Sequence, residues 1–327
     1  MKYAPVLIAT VNRYQHFKDC LESLSRCVWA NKTDVFVAVD YPPEEKYWHG
    51  YNQIKEYLSN CDGLEFLSLN VIYRETNYFF SGKDNLGSLL KEVFKKYDRA
   101  IVTEDDNIFS PNFLLFMNKG LEKYKDDCSV LAINGYRHFY PVLFSGNTFF
   151  RQNVNFSAWG FGIWLDKYDQ YINKISPEYF REKLSIRNFL RVLKNSGNSH
   201  AIQFLKESQA TMATKSDWTI GILMALENMD VVMPRISMVR NMGWDNSGLH
   251  CKISTSNDYL ASIHMNQTIS SDSDFDYIGT GKEYYSENRK IFKKSSYEQV
   301  SILHLIFNVV KFLFKSLFVC IKLKLNS

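Results

Sequence analysis

Residues Ala100-Ile101-Val102-Thr103 form a short apolar run that stops abruptly on Glu104-Asp105-Asp106-Asn107. A helical pattern precedes the run and another follows it, so it reads as a buried central strand of an α/β sheet. Ligands of such sheets bind in the crevice outside the carboxyl ends of the strands. Three consecutive carboxylates at that end repel one another and lose hydration. A divalent cation or several hydrogen-bond donors would keep them charged. Hard oxygen ligands suit Mg²⁺ or Mn²⁺, which in turn bind phosphate oxygens. Glu104-Asp105-Asp106 therefore reads as a metal-diphosphate site. The same residues also fit a solvated acidic turn ahead of a helix that Ser110 caps and Pro111 begins.

The surrounding chain repeats one pattern. Pro5 to Thr10 is an apolar run followed by Asn12 and by Phe17, Cys20, Leu21, Leu24 and Val28 at helical spacing. Val35 to Val39 is a second run, ending on Asp40 and broken at Pro42-Pro43, with Tyr47, Tyr51, Ile54 and Leu58 as the stripe of the next helix. Leu64 to Arg74 supplies a third strand and Leu86 to Tyr97 a third helix, before the strand at Ala100. Strands alternating with helices argue for parallel pairing in a doubly wound sheet. Neither GxGxxG nor GxxxxGK[ST] occurs after the first strand, so dinucleotide and ATP-hydrolysing classes lose support and a carboxylate-metal route to diphosphate gains.

Further on, a helix is expected from Pro111 to about Lys125 and a fifth strand from Ser129 to Gly135. Phe156 to Trp164 is an aromatic, glycine-rich turn in which Trp159 or Trp164 offers a stacking face for a sugar or simply fills the core. Residues 177–213 read as helical with a break at Asn195-Ser196-Gly197-Asn198. Ser216 or Asp217 stands where the next helix wants its N-cap. Residues 230–239 read as a strand that Pro234 confines to an edge or bulge. The Gly/Asn-rich stretch from Asn241 to Cys251 is a loop of the kind that closes over ligands.

Composition excludes several classes. With 327 residues, 46% hydrophobic and 23% charged, the chain can bury one large core, and a net charge of +4 with scattered basic residues does not favour nucleic acid. The amino end enters a strand with no apolar segment of signal-peptide length, so export is not expected. Six spread cysteines without CxxC or His/Cys metal spacing read as reduced, mostly buried thiols.

In order, Thr10-Val11-Asn12-Arg13, Asp40, Thr103-Glu104-Asp105-Asp106 before a proline-initiated helix, the aromatic glycine-rich turn, Asp217-Trp218 and a late Gly/Ser/His loop resemble nucleotide-sugar-dependent glycosyltransferases of the GT-A fold. The nearest likeness within that fold is to N-acetylglucosaminyltransferase I, whose DxD-type motif is Glu-Asp-Asp. Bacterial enzymes that build surface polysaccharides carry similar sequences. The resemblance covers residues 4–251. It implies a Rossmann-like, mostly parallel α/β sheet flanked by helices. It also implies that Asp106 holds Mn²⁺ (or Mg²⁺) against the diphosphate, while Glu104 and Asp105 contact ribose and donor sugar. Thr10, Asn12, Arg13 and Asp40 would line the nucleotide pocket, Asp40 facing the uracil edge. Asp217 would be the catalytic base, although the family has two adjacent acids before the tryptophan and this chain has Ser216-Asp217. Ser247 and His250 would fold over the diphosphate.

The expected activity is then inverting transfer of a sugar from a UDP-sugar, UDP-GlcNAc or a related hexose donor, to a glycan or lipid-linked saccharide. Metal neutralises the departing diphosphate and one carboxylate removes the acceptor proton. A metal-dependent nucleotidyltransferase acting on sugar phosphates is the alternative, and it would usually show a glycine-rich or basic phosphate loop after Thr10. An aromatic carbohydrate-binding module fits the acidic triplet poorly.

The chain is expected to divide into a catalytic domain at 1–255, a polar connecting segment at 256–297 and an amphipathic helix at 298–327. In that helix His304, Asn308, Lys311, Lys315 and Lys322 share one face and apolar residues crowd the rest, as in helices that lie in a membrane interface. The longest charge-free stretch, Gln299 to Val310, is too short to span. A cytoplasmic protein peripheral to the inner face of the cell membrane follows, with packing on the catalytic domain or a dimer partner as the other reading of the helix.

Overall fold

A computed structural model describes residues 2–138, 149–212, 215–248, 258–270 and 301–325, the last segment by backbone alone beyond Leu313. In chain order the elements are β1 (Val6–Thr10), α1 (Tyr14–Ser25), β2 (Asp34–Val39), α2 (Trp48–Ser59), β3 (Ser68–Tyr73), α3 (Asn85–Val93), β4 (Arg99–Glu104) and β5 (Asn107–Phe109). There follow α4 (Phe113–Lys123), β6 (Val130–Asn134), β7 (Phe149–Gln152), β8 (Phe161–Trp164), α5 (Leu165–Gln170), α6 (Pro177–Lys183), α7 (Ile186–Gln209) and α8 (Asp217–Glu227). The described chain closes with β9 (Asp230–Pro234), β10 (Val239–Asn241), α9 (Tyr259–Met265) and α10 (Ile302–Leu325).

The main sheet has the order β3-β2-β1-β4-β8-β6-β9-β7, and β5 pairs separately with β10. β3, β2, β1 and β4 run parallel, as do β6 and β9, whereas β8 is antiparallel to both its neighbours and β7 is antiparallel to β9. This is the helix-flanked, mixed but more parallel than antiparallel α/β sheet expected of a GT-A chain. Both faces of β1, β2 and β4 are largely covered, which is why they read as continuous apolar runs, whereas β3 at the edge is only partly buried. Val6, Ile8, Val37 and Ile101 face a core with Phe17 of α1, Ile54 of α2 and Leu114 of α4. Leu7, Ala38 and Val102 face the opposite core, with Leu89 of α3, Phe204 of α7 and Leu223 of α8. Phe17 and Phe113 are wholly buried, and truncating either to alanine would cost about 3–5 kcal/mol.

Several sequence expectations are corrected here. The aromatic turn at 156–164 ends in strand β8, inserted between β4 and β6. A Cβ on Gly162 would stand 3.0 Å from the Leu121 side chain, so the missing side chain lets α4 lie close on the strand. Gly160 enters β8 at φ +79°, a conformation that a residue with a Cβ adopts only with strain, and its carbonyl accepts the Gly135 N–H at 2.7 Å. The triplet is followed not by a helix but by β5. The N-cap of α4 is Asn112, and the Ser110 hydroxyl goes instead to the carbonyl of Ser270. Pro234 does not put β9 at an edge. β9 lies between β6 and β7, with the proline on its last residue, opposite Phe149. The helical stretch at 177–213 is two helices, α6 and α7. The break expected at 195–198 is a kink at Gly197 inside α7.

Within the stretch assigned to a polar connector, residues 258–270 are built into the fold. His264 and Ser270 are buried, the His264 ring accepting or donating at 2.6 Å with the Tyr136 hydroxyl. Of the cysteines whose side chains are described, Cys20 and Cys27 are buried, Cys61 is half-buried and Cys128 is exposed.

Candidate active site

Parallel pairing brings the carboxyl ends of β1, β2 and β4 side by side, and the chain leaves them through Thr10, Asp40 and Glu104. The Asp40 N–H donates to the Thr10 carbonyl at 2.8 Å, which extends the ladder by one step beyond β2. The Thr10 hydroxyl donates to Asp105 Oδ2 at 2.7 Å. Arg13, in the turn between β1 and α1, places its guanidinium against two acids at once. Nη1 donates to Asp106 Oδ2 at 2.7 Å, and Nη2 to Asp105 Oδ1. Asp105 and Asp106 are only 4% and 5% exposed, and these donors offset the water their carboxyl oxygens have lost.

Electrostatics single out the remaining acids. Burial, then the proximity of Asp106 and of Asp217, pushes the Glu104 carboxyl well above the usual carboxylate range, Arg13 opposing the shift. Burial also raises Asp106, against the pull of Arg13. Asp217 is held at about 7 by burial, with the hydrogen bond from the Ala158 N–H acting the other way. That bond, to Asp217 Oδ1, measures 2.9 Å. Capping does not account for Asp217. Ser216 is the N-cap of α8 and forms a capping box with Thr219, which leaves the Asp217 carboxylate to accept the Ala158 N–H. Glu227, also on α8, is engaged by Lys183 at 2.7 Å and the Tyr179 hydroxyl at 2.8 Å.

The second sheet roofs this cluster. β10 lies on β5, and Asn241 at its end donates to Asp106 Oδ1 at 2.7 Å and to Asn107 Oδ1 at 3.0 Å. Met242 N–H donates to the Asp106 carbonyl at 2.8 Å. Gly243 comes so close that a Cβ there would be 2.1 Å from Asp106 Oδ2 and 3.2 Å from Arg13 Nη1. The loop is fastened from α1: His16 Nε2 lies 2.9 Å from Asp245 Oδ2 and 3.1 Å from the Ser247 hydroxyl. Asn241, Gly243 and His16 were not singled out from sequence. The Asn-Met-Gly opening of the late loop carried a signal for the first two, but nothing local marks His16.

Other expected site residues are distributed unevenly. Asn12 sits where α2 starts, its carbonyl 1.9 Å from where a Cβ on Gly50 would be. Asp40 is buried and accepts the backbone N–H groups of Tyr41 at 2.9 Å, Tyr78 at 2.8 Å and Phe79 at 3.3 Å. It anchors the loop after β3, and any contact with a base would have to share those oxygens. Ser247 is exposed, at the His16 fastening. His250 lies outside the described residues. Of the two tryptophans, Trp164 presents no stacking face: it is 4% exposed, donates from Nε1 to the Leu121 carbonyl at 3.1 Å and is covered by Lys167 at 4.2 Å. It is a core residue. Trp159 is half-buried, edge-on to Tyr136 and His264, with ring centroids 4.7 and 5.3 Å away.

A divalent metal is what the GT-A likeness implies, and the residues present fit a cation. Arg13 already serves as a cation between Asp105 and Asp106. Among the described residues, however, no group of three or more His, Cys, Asp or Glu side chains could hold a metal by itself. Asp105 and Asp106 could hold a metal only as one or two carboxylates, with substrate phosphates completing its shell.

No protein-family model matches this chain, and no curated protein does. Solved structures with some likeness include S. aureus TarS, at 14% identity and a TM-score of 0.30 over 45% of this chain and 24% of that one. They also include the Pyrobaculum calidifontis mannosyltransferase PcManGT in complex with GDP-Man and Mn²⁺, at 9% identity and 0.37 over 68% of this chain and 70% of that one. A third is residues 1–349 of S. aureus TarS, at 12% identity and 0.39 over 68% and 71%. The chain thus spans about a quarter of the full TarS chain. Likenesses this slight do not assign it to a family.

Proposed function

We propose that this protein is a glycosyltransferase that transfers a sugar, with inversion, from a nucleotide-diphosphate sugar to a saccharide acceptor. The donor is a UDP-sugar, UDP-GlcNAc or a related hexose. The acceptor is a glycan or lipid-linked saccharide of surface-polysaccharide synthesis, as the sequence resemblance implies. One observation carries the reading. At the carboxyl ends of parallel strands, a buried acid pair with its own cation adjoins Glu104, which feels both Asp106 and a separate carboxyl, Asp217, whose pKa burial raises to about 7.

The chain's own groups suit such a transfer. Asp217 is ionised above about pH 7, where it can accept the acceptor hydroxyl proton in the transition state. Its hydrogen bond from the Ala158 N–H fixes the direction of the carboxylate. Arg13 supplies a forked donor matched to phosphate oxygens. Thr10, Asn12 and Asp40 border the nucleotide side, and Glu104 the sugar side. Trp159 is the remaining stacking face. Asp106, with Asp105 beside it, would hold Mn²⁺ or Mg²⁺. When bound, the ion neutralises charge on the leaving diphosphate.

The same proposal includes a peripheral membrane site. α10 packs on the catalytic core through Leu305, 7% exposed, and Val309, while Ile302, Leu303, Ile306, Phe307, Val310 and Leu313 stay exposed. The 24 residues of the helix contain lysines and a histidine but no acid, which suits an anionic lipid surface. No helix among the described residues is long and apolar enough to cross a membrane.

The deciding experiment is a thermal-shift screen of UDP-, GDP- and dTDP-sugars with and without Mn²⁺, followed by hydrolysis and transfer assays on any hit. A ligand bound only by the native state raises its apparent stability by mass action, about 2.7 kcal/mol at a concentration a hundred times Kd. A UDP-sugar shift that requires Mn²⁺ is the expected result. No shift with any nucleotide sugar would overturn the proposal.

A further inference from the structure

The geometry points to Arg13 as a resident counter-ion that metal and diphosphate must displace together, so that the site binds the two ligands cooperatively and each alone poorly. This rests on the glycosyltransferase reading given above.

Each oxygen of the acid pair already has a donor. Asp105 Oδ2 accepts from Thr10 at 2.7 Å and Oδ1 from Arg13 Nη2. Asp106 Oδ1 accepts from Asn241 at 2.7 Å and Oδ2 from Arg13 Nη1 at 2.7 Å. Gly243 closes over that last pair, since a Cβ on it would stand 2.1 Å from Oδ2 and 3.2 Å from Nη1. A divalent ion binds carboxylate oxygen at about 2.0–2.2 Å. Bound to Asp106 Oδ2, it would stand against a guanidinium nitrogen that lies 2.7 Å from the same oxygen, and in a nearly dry site the repulsion between the two cations is strong. Free metal therefore has to push Arg13 off Asp106 in a nearly dry site and leave the guanidinium with Asp105 alone, an unfavourable exchange.

A diphosphate changes that balance. The Arg13 side chain is 19% exposed, so it is not sealed beneath the acid pair. Once released it can make two parallel N–H···O bonds to phosphate. Metal arriving with the diphosphate would thus find Asp106 free as Arg13 turns to the new anion, with Asp105 still held by the Thr10 hydroxyl. Diphosphate without metal meets a guanidinium already committed to two acids. The coupling between the ligands is then a property of this one side chain, and by linkage it is the same seen from either ligand.

The test is a titration of free Mn²⁺, followed by electron paramagnetic resonance, in the absence and presence of saturating UDP. It uses the full chain and its Arg13→Gln and Arg13→Lys variants. In the wild type, UDP should tighten Mn²⁺ at least about tenfold, within the usual range of coupling between sites. Arg13→Gln removes the competing cation. It should bind free Mn²⁺ about tenfold more tightly than the wild type, with the UDP effect reduced to less than about threefold. Arg13→Lys retains a charge without the fork. It should fall between the two, and it decides the matter if Arg13→Gln does not fold. Free Mn²⁺ binding that is no tighter in either variant, with the UDP effect intact, would overturn the inference and leave the glycosyltransferase reading standing. A wild type that binds neither UDP nor Mn²⁺ under any condition would instead overturn that reading.

Discussion

Asp217 Oδ1 accepts the backbone N–H of Ala158 at 2.9 Å, tying the first residue of α8 to the turn that leads into β8. Because Ser216 caps the helix, Asp217 can be altered without uncapping it. Asp217→Asn keeps an acceptor for the Ala158 N–H and removes the proton acceptor. Turnover should fall about 10²–10⁴-fold, as for loss of a general base, with donor binding preserved. Single-turnover rates beside calorimetric UDP-sugar binding check both halves, and near-normal turnover would mean the residue only joins α8 to β8.

The pH profile follows from the same carboxyl. Asp217 has a folded-state value of about 7 against an ordinary 3.8, so the folded state holds its proton over that interval and the unfolded state does not. The wild-type rate should rise with pH through about 7, where the base ionises. Stability conferred by the neutral form is complete below about 3.8 and is lost as pH rises through about 7. Asp217→Asn should therefore lose the acid limb of the rate profile and unfold with less dependence on pH between 4 and 7. A limb unchanged in a residually active variant would assign it elsewhere.

Asp106→Ala should keep its fold and lose Mn²⁺-dependent UDP binding. Asp105 remains beside Arg13 to pair it, and one of several mutually repelling acids is gone. Urea unfolding and calorimetry on the same preparation separate the two effects, and retained Mn²⁺-dependent binding would remove Asp106 from the site.

Gly243→Ala tests the roof. The added methyl would collide with Asp106 Oδ2 and approach Arg13, so the loop must lift. Overpacking of this kind typically costs about 1–3 kcal/mol. The expected result is a lower unfolding midpoint and a donor KM raised about tenfold. His16→Ala cuts the fastening to Asp245 and Ser247 without a clash. Its partners being partly exposed, it should change donor affinity by less than tenfold while making the loop an easier target for limited proteolysis.

For the membrane face, Ile306→Glu combined with Phe307→Glu leaves Leu305 and Val309 packed on the core, because both substituted side chains are exposed, Phe307 at 63%. Co-sedimentation with liposomes containing phosphatidylglycerol should be lost while UDP-sugar hydrolysis persists. Failure of the unaltered protein to co-sediment at low salt would leave α10 as a packing element.

The parallel half of the fold was legible because β1, β2 and β4 are buried on both faces and therefore appear as unbroken apolar runs between helical stripes. β8 was not: four residues, with a glycine and two aromatics, carry no period, and only the shape of α4 at Leu121 explains Gly162. β5 and β10 have three residues each and exist through one another. The acid triplet could be read from its own spacing, whereas its donors come from Thr10, Arg13 and Asn241, one of them more than a hundred positions away. Trp164 shows the limit of residue-type reasoning, since an indole suited to a sugar also suits the core.

The insertion of β8 between β4 and β6 also bears on how the chain is made. Synthesis delivers β1 to β4 as a parallel unit whose last strand has an open edge, and Phe161–Trp164 can occupy that edge only after α4, β6 and β7 have left the ribosome. Until then Arg99 to Val102 present unpaired N–H and carbonyl groups beside the buried acids. The nascent chain is most exposed to intermolecular strand pairing during that interval. A substitution that delays β8, such as a bulky residue at Gly162, should thus lower the yield of soluble protein more than it lowers the stability of whatever protein has folded.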